Sequence, residues 1–149
     1  MISLNFPKYN FKIKTTNKRT EIFDLVRKKY VALTPEEWVR QHTIQFLATQ
    51  YDFPLSLMAV EKSIKLNSLT KRYDIVGYGS DGTPKLCIEC KAPEIKITQK
   101  VFDQIARYNI SLKVNYLMVT NGLDHYFCYI DFKKRSFYFL ESLPSYKEL

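Results

Sequence analysis

YDIVGYGSDGTPKLCIECK, residues Tyr73 to Lys91, is the stretch whose reading decides the fold. Two runs that alternate apolar and polar residues flank Asp81-Gly82, and a DG pair between such runs is a strong hairpin signal. The same two strands carry Asp74, Glu89 and Lys91. Charges inside apolar strands are costly unless they are paired or bound to an ion. Because side chains at i and i+2 of a strand share a face, Cys87, Glu89 and Lys91 form one row, and Ile88 and Cys90 point the other way, toward a core. The hairpin brings Asp74 to the side of Glu89.

Working outward, LMAVEKSIKL before this hairpin reads as a further strand. Upstream of it, LTPEEWVRQHTIQFLATQ predicts a helix from Pro35 to Gln50, with Thr34 as its cap, Pro35 in the first helical position and Glu37 three residues after the cap. Val39, Phe46 and Leu47 supply its apolar stripe, and Glu37, Gln41 and Ile44 an adjoining face. Phe11 to Thr16, a polar NKR bend and Glu21 to Leu33 read as an N-terminal hairpin. Downstream, TQKVFDQIARYNISL predicts a helix over Thr98 to Leu112 with Thr98 as cap. VNYLMVTN is nearly continuous in apolar residues, as expected of a strand covered on both faces. HYFCYIDF and SFYFLE follow as two terminal strands. The expected fold is α/β in the order α-β-β-β-α-β plus terminal strands, a central mixed sheet flanked by helices, in one domain spanning residues 1–149.

The composition agrees with a packed domain. Hydrophobic residues make up 46% of the chain and aromatics 15%, well above the range of disordered chains. Lysine and arginine exceed aspartate and glutamate by 23 to 15, a net charge of +8 that suits a polyanionic partner. No apolar run reaches membrane-spanning length and the N-terminus lacks the apolar core of a signal peptide, so a cytoplasmic protein without a membrane partner is expected. Cys87, Cys90 and Cys128 are read as buried thiols: Cys87 and Cys90 point to opposite faces of one strand, and His42 and His125 stand in no zinc-finger spacing.

Asp74 and Glu89, held close, repel one another unless a proton or cation is shared between them. Oxygen ligands of this kind suit Mg²⁺, which takes one or two carboxylates and keeps several waters; Mn²⁺ can stand in its place. The backbone carbonyl of Cys90 is a further candidate ligand. Such an ion polarises a phosphodiester and acidifies a bound water, and Lys91 beside it can position that water or neutralise the phosphate. Lys71 and Arg72 adjoin Asp74 and are candidates for holding DNA phosphates without reading sequence. Glu37 is equally well explained as a capping-box residue, with Glu36 its substitute at the site should the helix be rotated.

The pattern Asp74, Glu89-x-Lys91 resembles the core motif of the PD-(D/E)XK nuclease superfamily. With TPEEWVRQ (34–41), KRYDIVGY (71–78), IECKAPEIKITQKVFDQIARYN (88–109) and YLMVTNGLDHY (116–126), the chain resembles the N-terminal nuclease-like domain of type I restriction enzyme R proteins. This likeness implies a restriction-endonuclease-like core, with Asp74 and Glu89 as metal-binding acids and Lys91 as catalytic lysine. It implies that Glu37 joins the metal site from the first helix, and that Gln104 and Tyr108 form a QxxxY element contributing to the active site or to DNA contact. The proline of "PD" is absent, Tyr73 standing before Asp74.

The resemblance implies a Mg²⁺-dependent DNA endonuclease. The alternatives are an idle nucleic-acid-binding or assembly module, or a nuclease for RNA or branched DNA. No GxxxxGK[ST] loop is present, so no nucleotide cofactor is expected and translocation would fall to a motor protein or other restriction subunits. A homodimer is a further partner this reading allows, since one such site breaks one phosphodiester at a time.

Overall fold

The computed structural model describes residues 1–149 as two sheets and two α-helices. A three-stranded antiparallel sheet comes first: β1 (Ile13–Thr15), β2 (Thr20–Asp24) and β3 (Lys29–Ala32). The expected N-terminal hairpin is therefore corrected to a three-stranded meander. The reason is Asp24, whose Oδ1 accepts the N–H groups of Val26 and Arg27 at 2.7 and 2.8 Å, turning the chain where the sequence suggested one continuous strand. Lys28, with φ of 56°, completes the turn.

Helix α1 covers Pro35–Gln50. Thr34 is extended and its hydroxyl accepts the Glu37 N–H at 3.1 Å, so one of the orphan donors of the first turn is satisfied. Thr34→Ala is expected to remove about 1 kcal/mol of stability, lowering the melting temperature by roughly 2–4 °C for a chain of this size in a calorimetric comparison.

The central sheet has the order β4-β5-β6-β7-β8-β9, from β4 (Met58–Leu66), β5 (Leu69–Tyr78), β6 (Pro84–Cys90), β7 (Tyr116–Thr120), β8 (His125–Asp131) and β9 (Ser136–Leu140). Only β6 and β7 run parallel. Their connection is α2 (Gln99–Leu112), again capped by a threonine, Thr98, which accepts the Val101 N–H. A parallel pair needs such a crossover, whereas the antiparallel pairs close through short turns. Between β5 and β6 the chain turns over Gly79–Thr83, with Gly82 at φ of 81° and a register shift at Gly77/Tyr78. No helix is long and apolar enough to cross a membrane.

Both faces of the sheet are covered. Ile75, Leu86, Ile88, Cys90 and Met118 pack with Val39, Ile44 and Leu47 of α1. On the other face Tyr73, Val76 and Cys87 pack with Leu112 and Val114, while Leu117, Val119 and Cys128 meet Phe102, Ile105 and Ala106 of α2. Cys87 and Cys90 thus lie in different cores, and all three cysteines are buried and unbridged. The row containing Cys87 and Glu89 lies beneath α2 in a second core, so β6 has no solvent face. The result is an α/β domain with a mixed sheet between its helices, compatible with the restriction-endonuclease-like core.

Candidate active site

The site is built where β5 and β6 separate. Their ladder runs from Tyr78 opposite Pro84 to Ile75 opposite Ile88 and then stops. At the next residue the Asp74 carboxylate takes the place of a backbone acceptor: its Oδ2 accepts the Cys90 N–H at 2.6 Å. The alternation of β5 also breaks here, since Ile75 belongs to the core under α1 and Tyr73, two residues earlier, to the core under α2. Tyr73 is fixed there by its hydroxyl, which donates to Asn109 Oδ1 of α2 at 2.7 Å. Asp74 is thereby set at the mouth of a fork between two strands.

From the α1 side Arg40 closes this fork. Its Nη2 donates to Asp74 Oδ1 at 3.1 Å and to Glu36 Oε1 at 2.9 Å, and its Nη1 to Glu37 Oε1 at 2.7 Å. Arg40 is 5% exposed, and three carboxylates compensate its burial. Glu37 is fully engaged: Oε1 accepts from Arg27 at 2.9 Å as well as from Arg40, and Oε2 from Gln41 at 3.0 Å. Its backbone N–H donates the cap hydrogen bond to Thr34, while its carboxylate belongs to an arginine network. Glu36 is half exposed, and its carboxyl is pushed up by burial and by the charge of Asp74, against the pull of Arg40 and Lys91.

On the α2 side Glu89 is 7% exposed. Lys71 Nζ stands 2.6 Å from its Oε1, although the approach lies off the hydrogen-bond direction and leaves that oxygen without a hydrogen-bond partner. Burial pushes the Glu89 carboxyl up and the charge of Asp74 adds to this, while Lys71 and Lys91 pull it back. Lys71 is framed by the rings of Tyr73 and Tyr108, whose centroids lie 5.3 and 5.8 Å from Nζ. Tyr108 is therefore joined to the site through Lys71. Gln104, one turn earlier on α2, is exposed and lines a shallow groove of about 210 Å³ with Leu69, Arg107, Tyr108 and Ser111. Arg72 points elsewhere: its Nη2 donates to Glu61 Oε2 of β4 at 2.9 Å, so Lys71 and Arg72 do not act side by side.

Lys91 follows the last residue of β6 and donates its N–H to Thr120 O at 2.8 Å. It enters none of the ion pairs of the molecule. Its charge lowers the carboxyls of both Glu36 and Glu89 against the rise that burial gives them.

The residues can be tested against a divalent ion. No three His, Cys, Asp or Glu side chains are grouped closely enough to hold a metal between them. The donor set is two carboxylates on adjacent strands, each already beside a cation, Arg40 at Asp74 and Lys71 at Glu89, with a flanking backbone. Two carboxylates are the number Mg²⁺ takes from a protein while it retains water, and here both would exchange or share a cationic neighbour to hold it.

Two elements of the site escape the sequence reading. Arg40 carries a signal only as an i+4 and i+3 neighbour of Glu36 and Glu37, a spacing that normally marks a surface pair. Asp24 gives none, because its role depends on Arg27 and Gln41 meeting it in space.

No curated protein matches the chain. The family model described as type I restriction enzyme R protein N terminus matches residues 35–144, from the first residue of α1 to beyond β9, and so encloses the whole fork. The chain belongs to the family of type I restriction enzyme R protein N-terminal domains.

Proposed function

We propose that this domain is a Mg²⁺-dependent DNA endonuclease. The observation that supports the reading is the fork itself: where the β5–β6 ladder ends, Asp74 accepts the N–H of Cys90, the residue between Glu89 and Lys91, and Glu89 is buried on the adjoining strand. Asp74 and Glu89, with the backbone carbonyl of Cys90, would hold the ion, and Glu36 is better placed than Glu37 to complete the set through water. When bound, Mg²⁺ supplies Lewis-acid polarisation of the phosphodiester and a water of lowered pKa.

The chain's own residues divide the remaining work. Lys91, free of any carboxylate partner, orients the attacking water or neutralises charge gathering on the phosphate. Arg40 fixes Asp74 by its Oδ1 and is a positioning residue. Lys71 is the counter-charge of Glu89, and release from that carboxylate would make its ammonium available to a DNA phosphate. Tyr108 and Gln104 would border the strand path along α2. DNA and the other subunits of a restriction system are the partners this reading requires.

A second reading, an idle DNA-binding module, is favoured by one feature. Both acids already have cationic neighbours, Arg40 at Asp74 and Lys71 at Glu89, so their charges are compensated by the protein alone. Incubation of the purified protein with plasmid, linear, branched and RNA substrates separates the readings. Cleavage in Mg²⁺ or Mn²⁺ and none in EDTA is expected, with duplex DNA the best substrate. Salt-sensitive binding without turnover in either ion would establish the module instead, and preferential cutting of RNA or junctions would move the assignment to those substrates.

A further inference from the structure

The two edges of the central sheet are finished differently. Edge strand β4 is interrupted by Glu61 at φ of 52° and carries exposed Lys62 and Lys65, features that discourage pairing with another chain. Edge strand β9, SFYFL, has no charge, no proline and no bulge, and it pairs with β8 along its full length from Ser136 to Leu140. None of the backbone hydrogen bonds outside the regular ladders reaches it. Two large side chains on it are open to solvent, Tyr138 at 55% and Phe139 at 50%.

The register of β9 fixes which of its groups are unpaired. Ile130 N–H donates to Asn115 O, so the backbone of Ile130 faces the β7 side, and Tyr129 and Asp131 face β9. Their partners Tyr138 and Ser136 therefore bond inward. The N–H and C=O groups of Phe137 and Phe139 point out of the sheet.

We propose that β9 is a self-pairing edge, through which two copies of this chain join antiparallel about a two-fold axis at Tyr138. In that register Phe137 of one copy exchanges both of its hydrogen bonds with Phe139 of the other, so all four outward groups on each strand are satisfied. Tyr138 meets its own counterpart at a non-hydrogen-bonded position, where side chains come closest. The tyrosine ladder Tyr116–Tyr129–Tyr138, with centroids 5.4 and 5.3 Å apart, then continues across the axis. Charge complements this arrangement: Arg135, in the turn just before β9 with φ of 52°, and Glu141, just after it, stand at opposite ends of the strand, so antiparallel pairing brings the basic end of each copy to the acidic end of the other, and both residues are exposed. The contact is isologous and closes at two copies, since pairing consumes the free edge of each.

The interface is small, so a Kd on the order of tens of micromolar is expected, as for transient contacts below about 1,200 Å². Sedimentation equilibrium of the full chain over a range bracketing that value tests it. The native chain should pass from monomer to dimer. Phe139→Pro, which removes an outward N–H that the molecule itself does not use, should leave a monomer with an unchanged far-ultraviolet spectrum. Arg135→Glu and Glu141→Arg should each weaken association about tenfold, and the two together should restore it. A native chain that stays monomeric, or a dimer indifferent to both charge reversals, overturns the proposal. Neither result bears on the nuclease reading, which is scored by cleavage.

Discussion

Lys91→Ala is expected to lower Mg²⁺-dependent plasmid cleavage by about a thousandfold, the scale on which removing one transition-state stabilising group is felt. The substitution should leave stability within about 0.5 kcal/mol of native, because Lys91 has no ion-pair partner to abandon. Lys91→Arg should recover little, since a planar guanidinium does not reproduce the point charge of an ammonium. Asp74→Asn is the companion test. The amide oxygen can still accept the Cys90 N–H, so the strand contact is kept, while the Arg40 contact and the charge that would help to hold the ion are lost. Cleavage assayed by supercoiled-to-nicked conversion, with unfolding followed in parallel, distinguishes a lost site from a lost fold. Native rates in both variants would remove Asp74 and Lys91 from the chemistry.

Asp24→Ala should have the largest effect on stability, a loss of about 3–4 kcal/mol, because it strips one partner from a buried charge network. The Asp24 side chain is fully buried. It accepts four hydrogen bonds, from the N–H groups of Val26 and Arg27, from Arg27 Nε at 2.6 Å and from Gln41 Nε2 at 3.0 Å. Removing it leaves Arg27 tied only to glutamates, Gln41 short of an acceptor and the β2–β3 turn without its anchor. Urea unfolding should show a lower midpoint at an unchanged slope. Asp24→Asn, which can keep the turn through Oδ1 but sets an amide donor against Arg27 Nε and Gln41 Nε2, should recover only part of the loss.

The pH dependence follows from the same contacts. Burial opposes ionisation of Asp24, but the backbone and side chain of Arg27, with Gln41, outweigh it and hold the carboxyl below the ordinary range. A depressed folded value means that this contribution to stability is present above the unfolded pKa of about 3.9. It is lost as pH falls through the folded value. The gap between native and Asp24→Ala should therefore be constant near neutrality and close in acid. A gap that widened in acid would contradict this account of the network.

The same network engages the two helical glutamates differently. A capped helix beginning TPEEWVRQ makes Glu36 and Glu37 equally available by sequence, and a family resemblance favours Glu37. In space, Arg27 arrives from the β2–β3 turn and Gln41 from the next helical turn, and together with Arg40 they occupy both Glu37 oxygens. Glu36 is left half exposed, with the shared Arg40 as its one partner. Similarly, adjacent residues Lys71 and Arg72 read as one basic patch, yet a strand sends neighbours to opposite faces, so one meets Glu89 and the other Glu61.

What the sequence determined by itself was whatever depends on local periodicity and on turn and cap chemistry. Both helices begin on the threonines that the cap pattern marks, the six strands of the main sheet fall where alternation and apolar runs place them, and the DG turn folds Asp74 back toward Glu89. Tertiary structure alone decided how the charges were compensated. Arg40, Arg27, Lys71 and Asp24 acquire their roles from partners between 3 and 34 residues away, and the energy of a buried charge depends on the position and dielectric surroundings of its partner, quantities that no linear spacing encodes.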